Sequence, residues 1–215
     1  MLKIRKRSRL PHWDTDLGPY FVTFNLADAM PHDFRDRLRA EREVRLAELE
    51  HLKKAATRAE LYAIDQVIRE RAEELLDMNA GKCWMRDQRV AEIVANALMH
   101  FDEDRYLLLA WCVMPNHVHV ALNARDAIDR ILHSWKSFSA KEANRLLGRH
   151  GEFWQADYFD RTIRDQKDFD RTLRYVTENP AKAGLANWRW VRTYPERFVS
   201  PAETAGDGGR DARSP

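Results

Sequence analysis

The sequence predicts an α+β fold, an antiparallel sheet with helices packed mainly on one face, of ferredoxin-like or split βαβ topology. Three observations predict it. RYLLLAWCVM (105–114) is an unbroken apolar run bounded by charge and by Pro115, as a buried central strand should be. HVHVAL (117–122) alternates, so its side chains divide between two faces. The order along the chain reads strand, helices, strand, strand, helix, helix, with no internal repeat.

Composition narrows the classes. A chain of 215 residues with 44% hydrophobic residues and seven Trp can build one core, which excludes a disordered chain. Its formal charge of only +2 excludes a uniformly basic polymer but leaves room for a local basic face. No run of eighteen apolar residues exists, so no membrane span is expected. The start MLKIRKRSRLPHWD is basic but has no apolar stretch behind it, so it is not a secretion signal. Cys83 and Cys112 form no CxxC or CxxH pattern, and neither a disulfide framework nor a structural zinc is expected. The expectation is a soluble cytoplasmic protein.

The elements follow in order. Residues 1–18 form a basic arm, with Lys3, Arg5, Lys6, Arg7 and Arg9 ahead of any acid. Such an arm is either a solvated tail or a phosphate-binding one. A single domain is expected over 19–200. PYFVTFNL (19–26) follows a Gly-Pro breaker and is rich in β-formers, hence a strand.

Residues 33–77 hold 12 acids and 10 basic residues with no Gly and no Pro. Leu38, Leu46, Leu49 and Leu52, then Leu61, Ile64, Ile68 and Leu75, recur at roughly helical spacing. This predicts an inserted charged helical hairpin that breaks near Lys54–Thr57. It is too acidic to track phosphates well and reads as a spacer, a packing arm or a partner surface. DQRVAEIVANALMH (87–100) is an amphipathic helix. Residues 126–148 form another, with Ile128, Ile131, Leu132, Trp135 and Phe138 inward. Residues 151–164 are aromatic and extended. A helix over 167–179 is stopped by Asn179-Pro180. Residues 201–215 lack any large apolar residue and should be disordered.

MPNHVHVAL (114–122) carries the most chemical information. On a strand His117, His119 and Ala121 share one face, while Val118, Val120 and Leu122 share the other. Residues i and i+2 stand roughly 7 Å apart at Cα, so both imidazoles can reach one cation. Incidental strand histidines are the plain alternative. On the last helix Tyr175 and Asn179 are spaced i, i+4 and stack one above the other. An amide oxygen is a reasonable hard ligand for Mg²⁺ or Mn²⁺ beside two imidazoles. A tyrosine hydroxyl one turn away can attack a phosphorus whose oxygens a metal polarises. Alternatively Tyr175 packs and Asn179 caps the helix.

MPNHVHV (114–120), FWQADYFDRTIRD (153–165) and RYVTENPAKAGL (174–185) together resemble the REP-associated tyrosine transposases, a branch of the HUH-type single-strand DNA transposases. LPHWDTDLGPYFVTFNLAD (10–28) and SWKSFSAKEANRLLG (134–148) fit the same pattern, so the likeness runs from about residue 10 to 200. The resemblance implies an RRM-like sheet, a divalent metal on His117, His119 and Asn179, and Tyr175 as nucleophile. It implies that single-stranded DNA hairpins of repeated palindromic sequence are cleaved and rejoined through a 5′-phosphotyrosine. No ATP is needed, and no GxxxxGK[ST] loop is present.

Tyr158, in QADYFDR, is the rival nucleophile, but Thr162 stands at its i+4 position. Candidate DNA contacts are Lys136, Lys141, Arg145 and Arg149 on one helix, and Arg161, Arg164, Arg171 and Arg174 around the nucleophile. Neighbouring acids pair some of these arginines. Trp135 and Trp154 either stack bases or fill the core. The alternative function is a non-catalytic hairpin-binding regulator on the same scaffold. An RNA-binding module is disfavoured, because the aromatic RNP strand signature is absent.

Overall fold

A computed structural model describes residues 18–51 and 57–199. The expected basic arm and disordered tail lie outside the described residues. The elements are β1 (Gly18–Asn25), α1 (His32–His51), α2 (Arg58–Asp77), α3 (Gln88–Met99), β2 (Tyr106–Val113), β3 (His117–Ala124), α4 (Ile128–Leu146), β4 (Phe159–Thr162), α5 (Gln166–Lys182) and β5 (Val191–Thr193). The strands form one sheet in the order β4-β1-β3-β2-β5, with every pairing antiparallel. The first four make the ferredoxin-like arrangement expected from the sequence, and β5 adds an edge that the sequence did not announce.

Alternation sorts the strands into two cores. Tyr20, Val22 and Phe24 of β1 and Val118, Val120 and Leu122 of β3 face α3 and α4, where Val90, Val94, Ile131, Leu132 and Trp135 are buried. Phe21, Ala121, Leu109 and Cys112 face the other way, against Phe169 and Val176 of α5. The expectation of helices mainly on one face therefore describes α3 and α4, while α5 covers the opposite face. A register shift between Leu108 and Ala110 lets both Leu109 and Ala110 join the α5 side. This is why 105–114 reads as apolar throughout: both faces of β2 are covered.

Both helices of the expected hairpin form, the expected break near Lys54–Thr57 falls largely outside the described residues, and α2 starts at a capping box. The Thr57 side chain accepts the Glu60 amide, and the Glu60 carboxylate accepts the Thr57 amide at 2.8 Å. Leu38, Ile64, Ile68, Ala72 and Leu76 bury its seam in the α3/α4 core. Two expectations are corrected. Phe138 points outward and is 53% exposed, because the inward stripe of α4 runs through Trp135, Ser139 and Ala143. Asn179-Pro180 does not stop α5. Proline lacks a donor, but its fixed φ suits a helix, and the helix runs on to Lys182. It ends at Gly184, whose φ of +70° supplies the left-handed terminus. No described helix is long and apolar enough to cross a membrane.

Candidate active site

β3 places His117 and His119 side by side under α5, both fully buried. Their Nε2 atoms are 2.9 Å apart. Each Nδ1 is held from behind. Thr23 on β1, the cross-strand partner of His119, sets its hydroxyl 2.9 Å from that Nδ1. Asn116 does the same for His117 at 2.7 Å. The Asn116 amide nitrogen donates to Leu76 O and Ala80 O, so its oxygen must be the acceptor and His117 Nδ1 the donor. The His117 Nε2 therefore presents a bare lone pair to its neighbour. Phe21 stacks on His119, with ring centroids 5.6 Å apart, and fixes its plane.

α5 brings Tyr175 and Asn179 to the same point, as their i, i+4 spacing requires. The Tyr175 hydroxyl and the Asn179 Nδ2 each lie 3.4 Å from His119 Nε2. The last turn of α2 adds Asp77, whose Oδ1 is 3.7 Å from His117 Nε2 and 3.4 Å from Asn179 Nδ2. Donors about 2.0–2.2 Å from one cation stand about 3 Å apart when adjacent, so these separations suit a single ion. Asp77, His117 and His119 offer ligand atoms within 4.8 Å of one another. Asn179 Oδ1 is buried without a hydrogen-bond partner. Turning that amide over puts its oxygen among two imidazole lone pairs and a carboxylate, an all-acceptor set that a divalent cation satisfies.

Electrostatics agree with this donor set. Burial pushes the His117 pKa down to about 3. His119 falls well below its ordinary value through burial and the neighbouring imidazole. Both are therefore neutral at pH 7, the form that ligates metal. Burial raises the Tyr175 phenol above its usual value, and the Glu73 and Asp77 charges raise it further.

Of the tyrosines whose side chains are described, Tyr175 is the one at the histidine pair. Tyr158 is buried in the α3/α4 core and its hydroxyl meets Asp129 at 3.3 Å. Tyr20 and Tyr106 are also in that core, and Tyr194 carries Arg197 over its ring.

The structure divides the candidate DNA contacts. Arg161, Arg164 and Arg171 line a cleft between α2 and α5 that opens at Tyr175, with Arg69, Gln66 and Thr172. Asp168 gathers them: Arg161 at 3.0 Å, Arg171 at 3.6 Å and Arg164 at 3.7 Å. Arg174 is exposed on α5. Lys136, Lys141 and Arg145 ride on α4, across the sheet from the histidines, and Lys136 is engaged by the carbonyls of Gln155 and Ala156. Arg149 lies over the Trp84 ring. Trp135 and Trp154 fill the core.

The family described as "Transposase IS200 like" matches residues 82–179, a span that holds His117, His119, Tyr175 and Asn179. A REP-associated tyrosine transposase of Escherichia coli strain K12 is 24% identical over 123 residues, covering 54% of this chain and 73% of that protein. The chain is similar to the REP-associated tyrosine transposases. A Haemophilus influenzae protein described as the same kind of transposase is 28% identical over 88 residues, covering 35% of this chain and 50% of that one. A solved REP-associated tyrosine transposase bound to a REP hairpin shares the fold, with a TM-score of 0.52 and 16% identity over 96% of this chain and 99% of that one.

Asp77 and Glu73 were missed by the sequence reading, and both lie ahead of the matched span. Their i, i+4 spacing at the end of a helix was visible, but in a stretch holding 12 acids nothing marked them out. Asn116 stood in plain view before the first histidine, as part of the turn.

Proposed function

We propose that this chain is a metal-dependent tyrosine transposase or single-strand endonuclease. It cleaves and rejoins single-stranded DNA at hairpins of repeated palindromic sequence, through a covalent 5′-phosphotyrosine on Tyr175. The observation that carries this reading is the Tyr175 hydroxyl, 3.4 Å from His119 Nε2 at the edge of an all-acceptor cluster. A bulky, half-buried phenol beside neutral imidazoles and an unpaired amide oxygen is the arrangement phosphodiester transesterification needs.

His117, His119 and Asn179, with Asp77 beside them, would hold a divalent ion, Mg²⁺ or Mn²⁺, which would supply charge to polarise the scissile phosphate and stabilise the departing oxygen. Thr23 and Asn116 keep the imidazoles in the tautomers and planes that face this point. Phe21, edge-on to Tyr175 and stacked on His119, packs against both nucleophile and imidazole and fixes their mutual orientation. The arginines gathered on Asp168 bind the strand's phosphates in the cleft beside Tyr175, and Arg174 extends that surface. Lys141 and Arg145 ride on α4, across the sheet from Tyr175, and stand apart from this cleft. Joining reverses cleavage: a 3′-hydroxyl displaces Tyr175, so the link conserves the phosphodiester and no nucleotide cofactor enters.

The test is a denaturing gel of end-labelled single-stranded hairpin DNA, drawn from palindromic repeats beside the gene. Cleavage is expected with Mn²⁺ and lost in EDTA and in His117→Ala. Tight hairpin binding without cleavage in any of these conditions would identify the non-catalytic regulator instead.

A further inference from the structure

The acidic hairpin does more than space or pack. Its second helix lays Glu73 and Asp77 along one face, four residues apart, against α5. Asp77 meets the histidine cluster. Glu73, one turn earlier, lines the cleft at Tyr175 together with Arg69 and Arg161. Its side chain is only 13% exposed and faces the same cleft as the Tyr175 side chain. Its Oε1 is buried without a hydrogen bond, with Arg69 Nε no closer than 3.9 Å.

We infer that Glu73 is the proton acceptor for Tyr175 in cleavage and the donor that returns the proton in rejoining, an inference that rests on the proposed transesterification. In cleavage the Tyr175 O–H proton passes to the Glu73 carboxylate as the bond from the phenol oxygen to phosphorus forms. The bond from phosphorus to the 3′ oxygen breaks, and that oxygen takes a proton from water. In rejoining the 3′-hydroxyl attacks phosphorus and gives its proton to water, the bond from phosphorus to the Tyr175 oxygen breaks, and protonated Glu73 hands its proton to the leaving phenolate.

The other bases within reach fit less well. His119 Nε2 lies 3.4 Å from the hydroxyl, but its lone pair belongs to the cation cluster, as do those of His117 and Asp77. Glu73 stands outside that cluster and lines the cleft beside the phenol. Burial raises its carboxyl to about 7, against the pull of Arg69 and Arg161, so it can exchange a proton near neutrality in both directions. Glu73 precedes the segment that matches the transposase family, so the inserted hairpin supplies part of the chemistry as well as part of the wall.

The experiment measures single-turnover covalent adduct formation by the full chain with Mn²⁺ and labelled single-stranded hairpin DNA, for wild type and Glu73→Gln. Hairpin binding and thermal melting are measured on both. Positioned proton transfer is worth about 10²–10⁴-fold, so Glu73→Gln should lose at least about 100-fold in rate with hairpin affinity unchanged. Replacing Tyr175 by a fluorinated tyrosine, a more acidic phenol, should recover most of that loss in Glu73→Gln. A merely structural role could not produce that recovery. Adduct formation by Glu73→Gln at the wild-type rate, or a loss that the fluorinated phenol leaves untouched, overturns the assignment of Glu73 alone. No adduct with wild type overturns the transesterification and this step together.

Discussion

The Asn116 side chain ties the end of α2 to the His117 imidazole, donating to Leu76 O and Ala80 O while accepting from His117 Nδ1 at 2.7 Å. One amide thus sets a tautomer and holds the inserted hairpin over the site.

Losing that amide should weaken metal binding. Removing the group that orients a ligating histidine typically costs 10–100-fold in affinity, so Asn116→Ala should bind Mn²⁺ about 10–100-fold more weakly by titration calorimetry. Asn116→Asp should also melt earlier, since its carboxylate would face two carbonyls. Unchanged Mn²⁺ affinity in Asn116→Ala would remove the amide from the site.

Acid should unfold the metal-free protein through the histidines. His117 has an ordinary value of 6.5 and a folded value of about 3. Between these values the unfolded chain takes up a proton that the folded chain refuses. Stability is therefore fully present above about pH 6.5 and falls as pH drops toward 3. Denaturant titrations across that window should show the fall, and a shallower one in His117→Gln. Equal slopes in the two proteins would contradict the buried neutral imidazole.

Arg161 and Arg171 should fail differently. Arg161 makes two 3.0 Å bonds to Asp168, and the two side chains are 12% and 5% exposed. Breaking such a buried pair costs about 3–5 kcal/mol, so Arg161→Ala should be strongly destabilised. Arg171 is 58% exposed, and its loss should leave stability within about 0.5 kcal/mol. It should instead weaken hairpin binding and reduce the salt dependence by about one ion. Melting curves and salt titrations separate the two.

Gly81 carries a φ of +84°, and a Cβ there would sit 2.6 Å from Asp28 O. Gly81→Ala should cost about 2 kcal/mol or more, from strain and the displaced Asp28 backbone together. A melting temperature equal to wild type would show that this connection yields freely.

Much of this was legible in the sequence because it is local. HVHVAL fixed its own faces by alternation, and one helical turn placed Asn179 beside Tyr175. The charged hairpin announced itself by what it lacked, Gly and Pro. What stayed hidden depends on distant partners. Thr23 supports His119 from 96 residues away, and Asp77 meets Asn179 across 102. Neither residue type is distinctive in its own stretch. The extension of α5 through Pro180 was missed because a proline rule for helix interiors was applied to a last turn. Phe138 was placed inward because the apolar stripe of α4 ends in small residues, Ser139 and Ala143, that carry no apolar signal.

Trapping the covalent product decides whether Tyr175 is the nucleophile. Wild type, Tyr175→Phe and Tyr158→Phe would be incubated with Mn²⁺ and labelled hairpin DNA, digested with nuclease and protease, and the nucleotide-bearing peptide sequenced by mass spectrometry. The expected result is one modified peptide, carrying the adduct on Tyr175, in wild type and Tyr158→Phe and none in Tyr175→Phe. An adduct on another residue, or cleavage by Tyr175→Phe at the wild-type rate, would contradict it.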